Sequence, residues 1–142
     1  VMDIFPRDQA TGYYGDLTRT RVKGSASPVV RKAYETVLAA QEKALGSLKA
    51  GVAGEAIHQA AADYFKEAGF KTGKEESSGV YYGFFHGLGH SVGLEIHEGP
   101  SLSLRQKEPL RKGMSLQSNP DSTTLNGAAY ASRTRSQWLK VA

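Results

Sequence analysis

Between positions 83 and 100 the chain reads GFFHGLGHSVGLEIHEGP, which holds three of its four histidines within twelve residues, together with Glu95 and Glu98. Imidazoles in such density suit metal ligation or acid–base work. His86 and His90 have the HxxxH spacing that, on a helix, puts two ligands on one face as in zinc-protease motifs. The residues between them argue against a helix. Gly87 and Gly89 cost a helix roughly 2 kcal/mol relative to alanine, and Phe84, Phe85, Val92 and Ile96 favour strands. The segments VYYGFFHG and SVGLEIHE are therefore predicted to be extended. Residues four apart in a strand share a face but lie roughly 13 Å apart, too far for both to bind one metal. At most one of His86, His90 and His97 is then a direct ligand unless the glycines bend the chain, and the others face substrate or supporting groups. The glycines themselves let a ligand or backbone come close and mark bulges. His58 stands alone and reads as a packing residue.

The second set of chemically capable residues lies near residue 1: Asp3, Asp8 and Asp16, the last inside GYYGDLTRT. Aspartate is depleted in strands and costly to bury without a partner. Two aspartates on neighbouring strands face one another comfortably when a cation sits between them. Asp8 reads as a solvated turn residue. The ordinary alternative for Asp16 is an ion pair with Arg19.

These residues need elements to hold them. Residues 1–5 and 12–23 read as two strands around PRDQATG, a hairpin. Ser27 followed by Pro28 is a helix start, and Val30, Tyr34, Val37, Leu38, Gln41, Leu45 and Leu48 recur at helical spacing up to about Lys49. A second helix runs from about Gly54 to Ala68, with Ile57, Ala60, Ala61, Tyr64, Phe65 and Ala68 on one side and Gly69 as its stop. A polar loop, KTGKEESSG, precedes the histidine segment. This order predicts an α+β fold, helices on one face of a mainly antiparallel sheet.

Composition narrows the function classes. The chain has 142 residues, 39% hydrophobic, enough for one domain with a core. Without cysteine, thiolate metal sites and cysteine nucleophiles are excluded. The net charge of +4 is modest and the basic residues are scattered along the sequence, so no nucleic-acid partner is expected. No apolar run is long enough for a membrane span, and no signal segment precedes the first strand; a cytoplasmic location is the expectation. VMDIF at residue 1 reads as a strand already under way, as in a piece of a longer protein.

Both chemical segments resemble one family. DIFPRDQATGYYGDLTRT is similar to the two-aspartate strand pair, and FFHGLGHSVGLEIHEGP to the histidine segment, of the pita-bread metallopeptidases, in the Xaa-Pro aminopeptidase and prolidase branch. The resemblance runs from residue 2 to about residue 114. It implies a partial pita-bread fold and a site for two divalent metals held by two aspartates, one histidine and two glutamates. On that pattern Asp3, Asp16 and His90 are the metal ligands, with Asp16 bridging. His86 and His97 take the catalytic places that bind substrate and stabilise the developing oxyanion, and Thr18 and Arg19 lie where the family has supporting groups. Such a donor set suits manganese, cobalt or zinc, and two such ions activate a hydroxide for attack on the bond before proline. The implied substrate is a peptide with proline second; a homodimer stays open.

The pattern then breaks. The family continues into a segment resembling T-I-E-P-G-L-Y-Y-P and on to G-G-V-R-I-E-D, which bring the two glutamates. This chain instead reads KGMSLQSNPDSTTLNGAAYASRTRSQWLKVA, with no glutamate after Glu108. With permitted codons for Leu116 through Thr134, reading from the third base of the Leu116 codon gives T-I-E-P-G-L-Y-Y-P-E-W-G-G-V-R-I-E-D. Eighteen residues of the expected motif, in place, point to a frameshift near residues 115–116. Residues 1–116 are accordingly expected to be part of the catalytic domain, and 117–142 an out-of-frame tail without designed structure. Three of five ligands remain, so metal binding and peptidase activity are expected to be impaired. Glu95 and Glu98, tied to the histidine segment, are poor substitutes. Two other readings compete: a catalytically dead pita-bread domain that binds a peptide or protein, and an α+β domain whose histidines are structural.

Overall fold

The computed structural model describes residues 1–79, 81–118, 123–125, 128–130 and 139–141. Two short strands, β1 (Met2–Ile4) and β2 (Leu17–Arg19), pair antiparallel with Asp3 opposite Thr18. Helix α1 (Pro28–Ser47) starts where Ser27 caps it: the hydroxyl accepts from the Val30 amide at 3.4 Å, and Pro28, lacking an N–H, fits the first turn. Helix α2 (Gly54–Glu67) ends at Gly69, whose φ of +86° and amide bond to the Lys66 carbonyl close its last turn.

The buried face of α1 differs from the one its larger residues suggest. Ala33, Thr36, Val37, Ala40, Gln41 and Ala44 are buried, while Val30, Tyr34, Leu38 and Leu45 are only partly covered. Small side chains are selected because α1 packs closely along α2. The start of α2 is closer still to the sheet. A Cβ on Gly54 would strike the Ser101 carbonyl oxygen, so only glycine fits there.

Two small strands follow, β3 (Gly73–Lys74) and β4 (Tyr81–Tyr82), paired antiparallel. The principal sheet is built from β5 (Gly89–Ser91), β6 (Glu98–Leu102), β7 (Ser115–Ser118) and, past the two-stranded ribbon β8 (Thr123–Leu125) and β9 (Ala128–Tyr130), β10 (Leu139–Lys140). Its order is β10-β7-β5-β6, every pair antiparallel. Helix α2 packs over β6 and α1 over β7. Between the layers lies the core of Phe65, Phe84, Leu88, Leu102, Leu110 and Leu116, with the Phe65 and Phe84 rings stacked at 5.2 Å.

The histidine segment is not the pair of strands that its composition predicts. Of VYYGFFHG, only Tyr81 and Tyr82 form a strand among the described residues; Val80 lies outside them. Gly83, with φ of +60° and no room for a Cβ beside the Lys71 carbonyl, turns the chain away. In SVGLEIHE the chain leaves the sheet after Ser91, bends through residues 92–97 and returns as β6. Gly93 permits this because the Glu98 carboxylate fills the space where a side chain would be. A register shift between His90 and Ser91 marks a bulge at the centre of the segment.

Of the expected tail, Gln117 and Ser118 continue β7 and are buried. Val141 joins the core, its amide bonded to the Met114 carbonyl at 2.9 Å. Most of residues 119–142 lie outside the described residues. No described helix is long and apolar enough to cross a membrane.

Candidate metal centre

Asp3 sits on β1 with its carboxylate accepting from the Thr18 hydroxyl at 2.8 Å. Thr18 is almost fully buried, so this bond fixes which face of β1 turns inward. Asp16 lies two residues before Thr18 and, by the alternation of extended chain, on the same side. It is buried, and its main-chain carbonyl accepts from the Gln117 side-chain amide at 2.9 Å. The hairpin is also tied to the histidine segment by the Tyr14 amide, which donates to the Gly93 carbonyl at 2.9 Å.

His90 is the central residue of β5, opposite Ser101 on β6 and Gln117 on β7. Gly89 beside it has β7 main chain where a Cβ would stand, which lets the strands close up. The Nδ1 of His90 is 3.0 Å from the Ser91 carbonyl oxygen, and its Nε2 is 3.5 Å from Asp16 Oδ2. A carbonyl only accepts, so Nδ1 carries a proton. Nε2 then faces a buried carboxylate, where nitrogen and oxygen lone pairs are placed to share a cation. Imidazole and carboxylate oxygen are donors that manganese, cobalt and zinc accept, so the Asp16 and His90 pair fits such an ion chemically.

His97, which is exposed, closes over this pair: its ring is 4.4 Å from that of His90, edge to face. Continuous strand geometry would have kept them apart, and the bend through residues 92–97 brings them together. His86 has its Nδ1 3.2 Å from the Gly87 carbonyl and its ring against Phe85 at 5.0 Å and Phe84 at 5.8 Å. Glu98 is turned into its own loop, where Oε2 accepts from the Glu95 amide at 3.4 Å. Among the described residues, no three His, Asp or Glu side chains converge closely enough to hold an ion by themselves.

The remaining candidates keep structural roles. Asp8 is a turn residue: its Oδ1 accepts from the Thr11 hydroxyl and amide, both at 2.7 Å, and those bonds hold its pKa below the ordinary carboxylate value. His58 is buried with its ring 4.9 Å from Phe84, and burial lowers its pKa against the opposing effect of a bond to the Leu102 carbonyl. The sequence reading missed Gln117, the side chain that anchors Asp16. A glutamine in SLQS carries no periodic or motif signal; only the pairing of β7 with β5 reveals it.

Known proteins resemble this chain over most of its length. Residues 1–135 match metallopeptidase family M24. The Xaa-Pro dipeptidase of Pyrococcus furiosus is 39% identical over 108 residues, covering 76% of this chain and 28% of that relative. Among solved structures, the X-Pro aminopeptidase of Thermotoga maritima superposes with a TM-score of 0.69 at 35% identity, covering 84% of this chain and 30% of the other. The prolidase of P. furiosus gives 0.72 at 33% identity, over 88% and 33%. The chain thus spans about a third or less of the length of the relatives it matches. The α+β arrangement is part of the pita-bread fold these structures share. With two aspartates, a bulged histidine strand and two intervening helices in the matching order, this chain belongs to metallopeptidase family M24.

Proposed function

We propose that the chain is part of an Xaa-Pro peptidase that hydrolyses the peptide bond before a proline in second position, with Asp3, Asp16 and His90 as metal ligands. The observation that carries this reading is the 3.5 Å approach of His90 Nε2 to a buried Asp16 carboxylate, with Nδ1 already committed to Ser91. Divalent ions, when bound, supply Lewis acidity at the scissile carbonyl and make water a nucleophile near neutral pH. In this reading, Thr18 orients Asp3 and Ser91 fixes the His90 tautomer. His86 and His97 contact the peptide and stabilise the developing oxyanion.

Two further ligands are the glutamates encoded in the shifted frame after Leu116. As written, the chain is an impaired form of the site. The test compares this chain with one carrying T-I-E-P-G-L-Y-Y-P-E-W-G-G-V-R-I-E-D in frame. Metal analysis after manganese, cobalt or zinc loading is expected to find less than one ion per molecule for the first and two for the second, with Xaa-Pro hydrolysis only in the second. Tight binding of two ions by the chain as written would refute the impairment. Nucleotides that fail to encode that peptide would end the frameshift account.

A further inference from the structure

A line of rings leads away from His86. Phe85 lies 5.0 Å from His86, Tyr81 lies 5.0 Å from Phe85, and the Lys74 ammonium is 5.7 Å from the centre of the Tyr81 ring. Phe85 and Tyr81 are 40% and 48% exposed, although neighbouring Phe84 is buried in the core. Beyond them opens a surface cleft of about 330 Å³ lined by Lys66, Phe70, Lys71, Lys74, Glu75 and Tyr82, among others. Lys66 has Asp63 beside it at 3.4 Å, and Glu75 accepts from the Ser78 hydroxyl. Lys71 and Lys74 instead lie over the Tyr82 and Tyr81 rings and have no carboxylate within ion-pair distance among the described residues. Lys71 and Lys74 thus stand at one end of an exposed aromatic strip whose other end is His86.

Exposed rings in tilted and edge-to-face contact offer a surface for an apolar side chain, and unpaired ammonium groups beside them offer one for a carboxylate. An extended peptide advances about 3.3 Å per residue, so the successive steps of 5.0, 5.0 and 5.7 Å are spanned by at most about five residues. We propose that this strip is an extension of the peptide-binding site, which seats an apolar or aromatic side chain on Phe85 and Tyr81 and an acidic group at Lys71 and Lys74. The proposal rests on His86 contacting the peptide, and it deepens that reading by selecting substrates longer than a dipeptide.

The test is NMR titration of the isotope-labelled chain with peptide amides: Ala-Pro, Ala-Pro-Gly-Asp, Ala-Pro-Phe-Asp and Ala-Pro-Phe-Lys. Phe over Gly is expected to tighten binding about fivefold, with shifts at the Tyr81 and Phe85 rings. Asp over Lys is expected to tighten it about threefold. Phe85→Ala removes the first preference and Lys74→Glu inverts the second; both positions are exposed, so the fold is expected to persist. Equal affinities, preferences that survive both substitutions, or no binding of Ala-Pro-Phe-Asp at millimolar concentration would overturn the proposal. Ala-Pro amide is too short to reach the strip and reports on His86 alone. If it is insensitive to His86→Ala while both preferences persist, the strip stands and the role of His86 is wrong. Sensitivity to His86→Ala with no preferences means the reverse.

Discussion

The helix layer and the aspartate hairpin are held in opposite ways. Along α1 and α2, alanines at helical spacing let the helices close on one another, and Phe65 is sealed between α2 and the sheet. In the hairpin, all three residues of β1 are exposed, and Val1, Met2, Ile4 and Phe5 are each about half in water. A two-stranded ribbon has little stability of its own. What fixes this one is a small set of polar cross-links: Thr18 to Asp3, Gln117 to the Asp16 carbonyl, and Tyr14 to Gly93. The Asp3 and Asp16 carboxylates therefore ride on the least packed element and are positioned by hydrogen bonds within the hairpin and to β7 and the Gly93 loop. Global stability and site geometry should then be separable.

The largest effect is expected in the helix layer. Phe65→Ala removes a fully buried ring stacked on Phe84 and should destabilise the fold by about 3–5 kcal/mol in chemical denaturation. Below the unfolding transition the Asp16 and His90 resonances should stay close to their original positions. Large shifts there in the folded variant would join the two regions and break the contrast. A smaller effect with the opposite signature is expected for Gln117→Leu. It keeps a side chain of similar size in the sheet but takes a donor from the Asp16 carbonyl, a loss of about 1–3 kcal/mol. Its readout is local: faster amide exchange across β1 and β2 and displaced Asp16 and His90 signals, with α1 and α2 unchanged. Uniformly faster exchange would mean that the hairpin is not an independent unit.

How much of this could be read from the sequence follows the same division. Local signals located the helices: Ser27 and Pro28 open α1 and Gly69 closes α2. The alanine face of α1 was not legible, because which stripe is buried depends on how closely a second helix approaches, and leucine or tyrosine spacing outweighs alanine in any one-dimensional pattern. Asp16 and His90 were legible as residue types able to ligate a metal, and they stand 3.5 Å apart. The contact of His90 with His97 was not, since residues 92–97 have strand composition but are bent by Gly93 and the Glu98 carboxylate behind it. Gln117 was invisible for a similar reason: its partner is distant in sequence and is a main-chain carbonyl, which leaves no trace in residue type.

The smallest expected effect separates two histidines by their surroundings. His90 has a buried carboxylate in front of it, whereas His58 on α2 has Phe84 against its ring and a buried Nδ1 without a hydrogen-bond partner among the described residues. Burial disfavours the charged form of His58, and this outweighs the bond to the Leu102 carbonyl; the nearby His86 acts in the same direction as burial. The folded-state pKa therefore lies below the ordinary histidine value of about 6.5. Above that value the imidazole is neutral in both folded and unfolded chains and contributes no slope. Below it the unfolded chain takes up a proton that the folded chain resists, so stability is lost as pH falls. Denaturation measured between pH 7.5 and 5.5 should show a decline that is reduced in His58→Gln, whose amide can still donate to Leu102. The difference between the two slopes isolates His58 from the other histidines, which titrate in both proteins. If the His58→Gln slope matched that of the original chain, the buried imidazole would be as easily protonated as a solvated one. The helix layer would then be open to water, and the contrast with the hairpin would have to be given up.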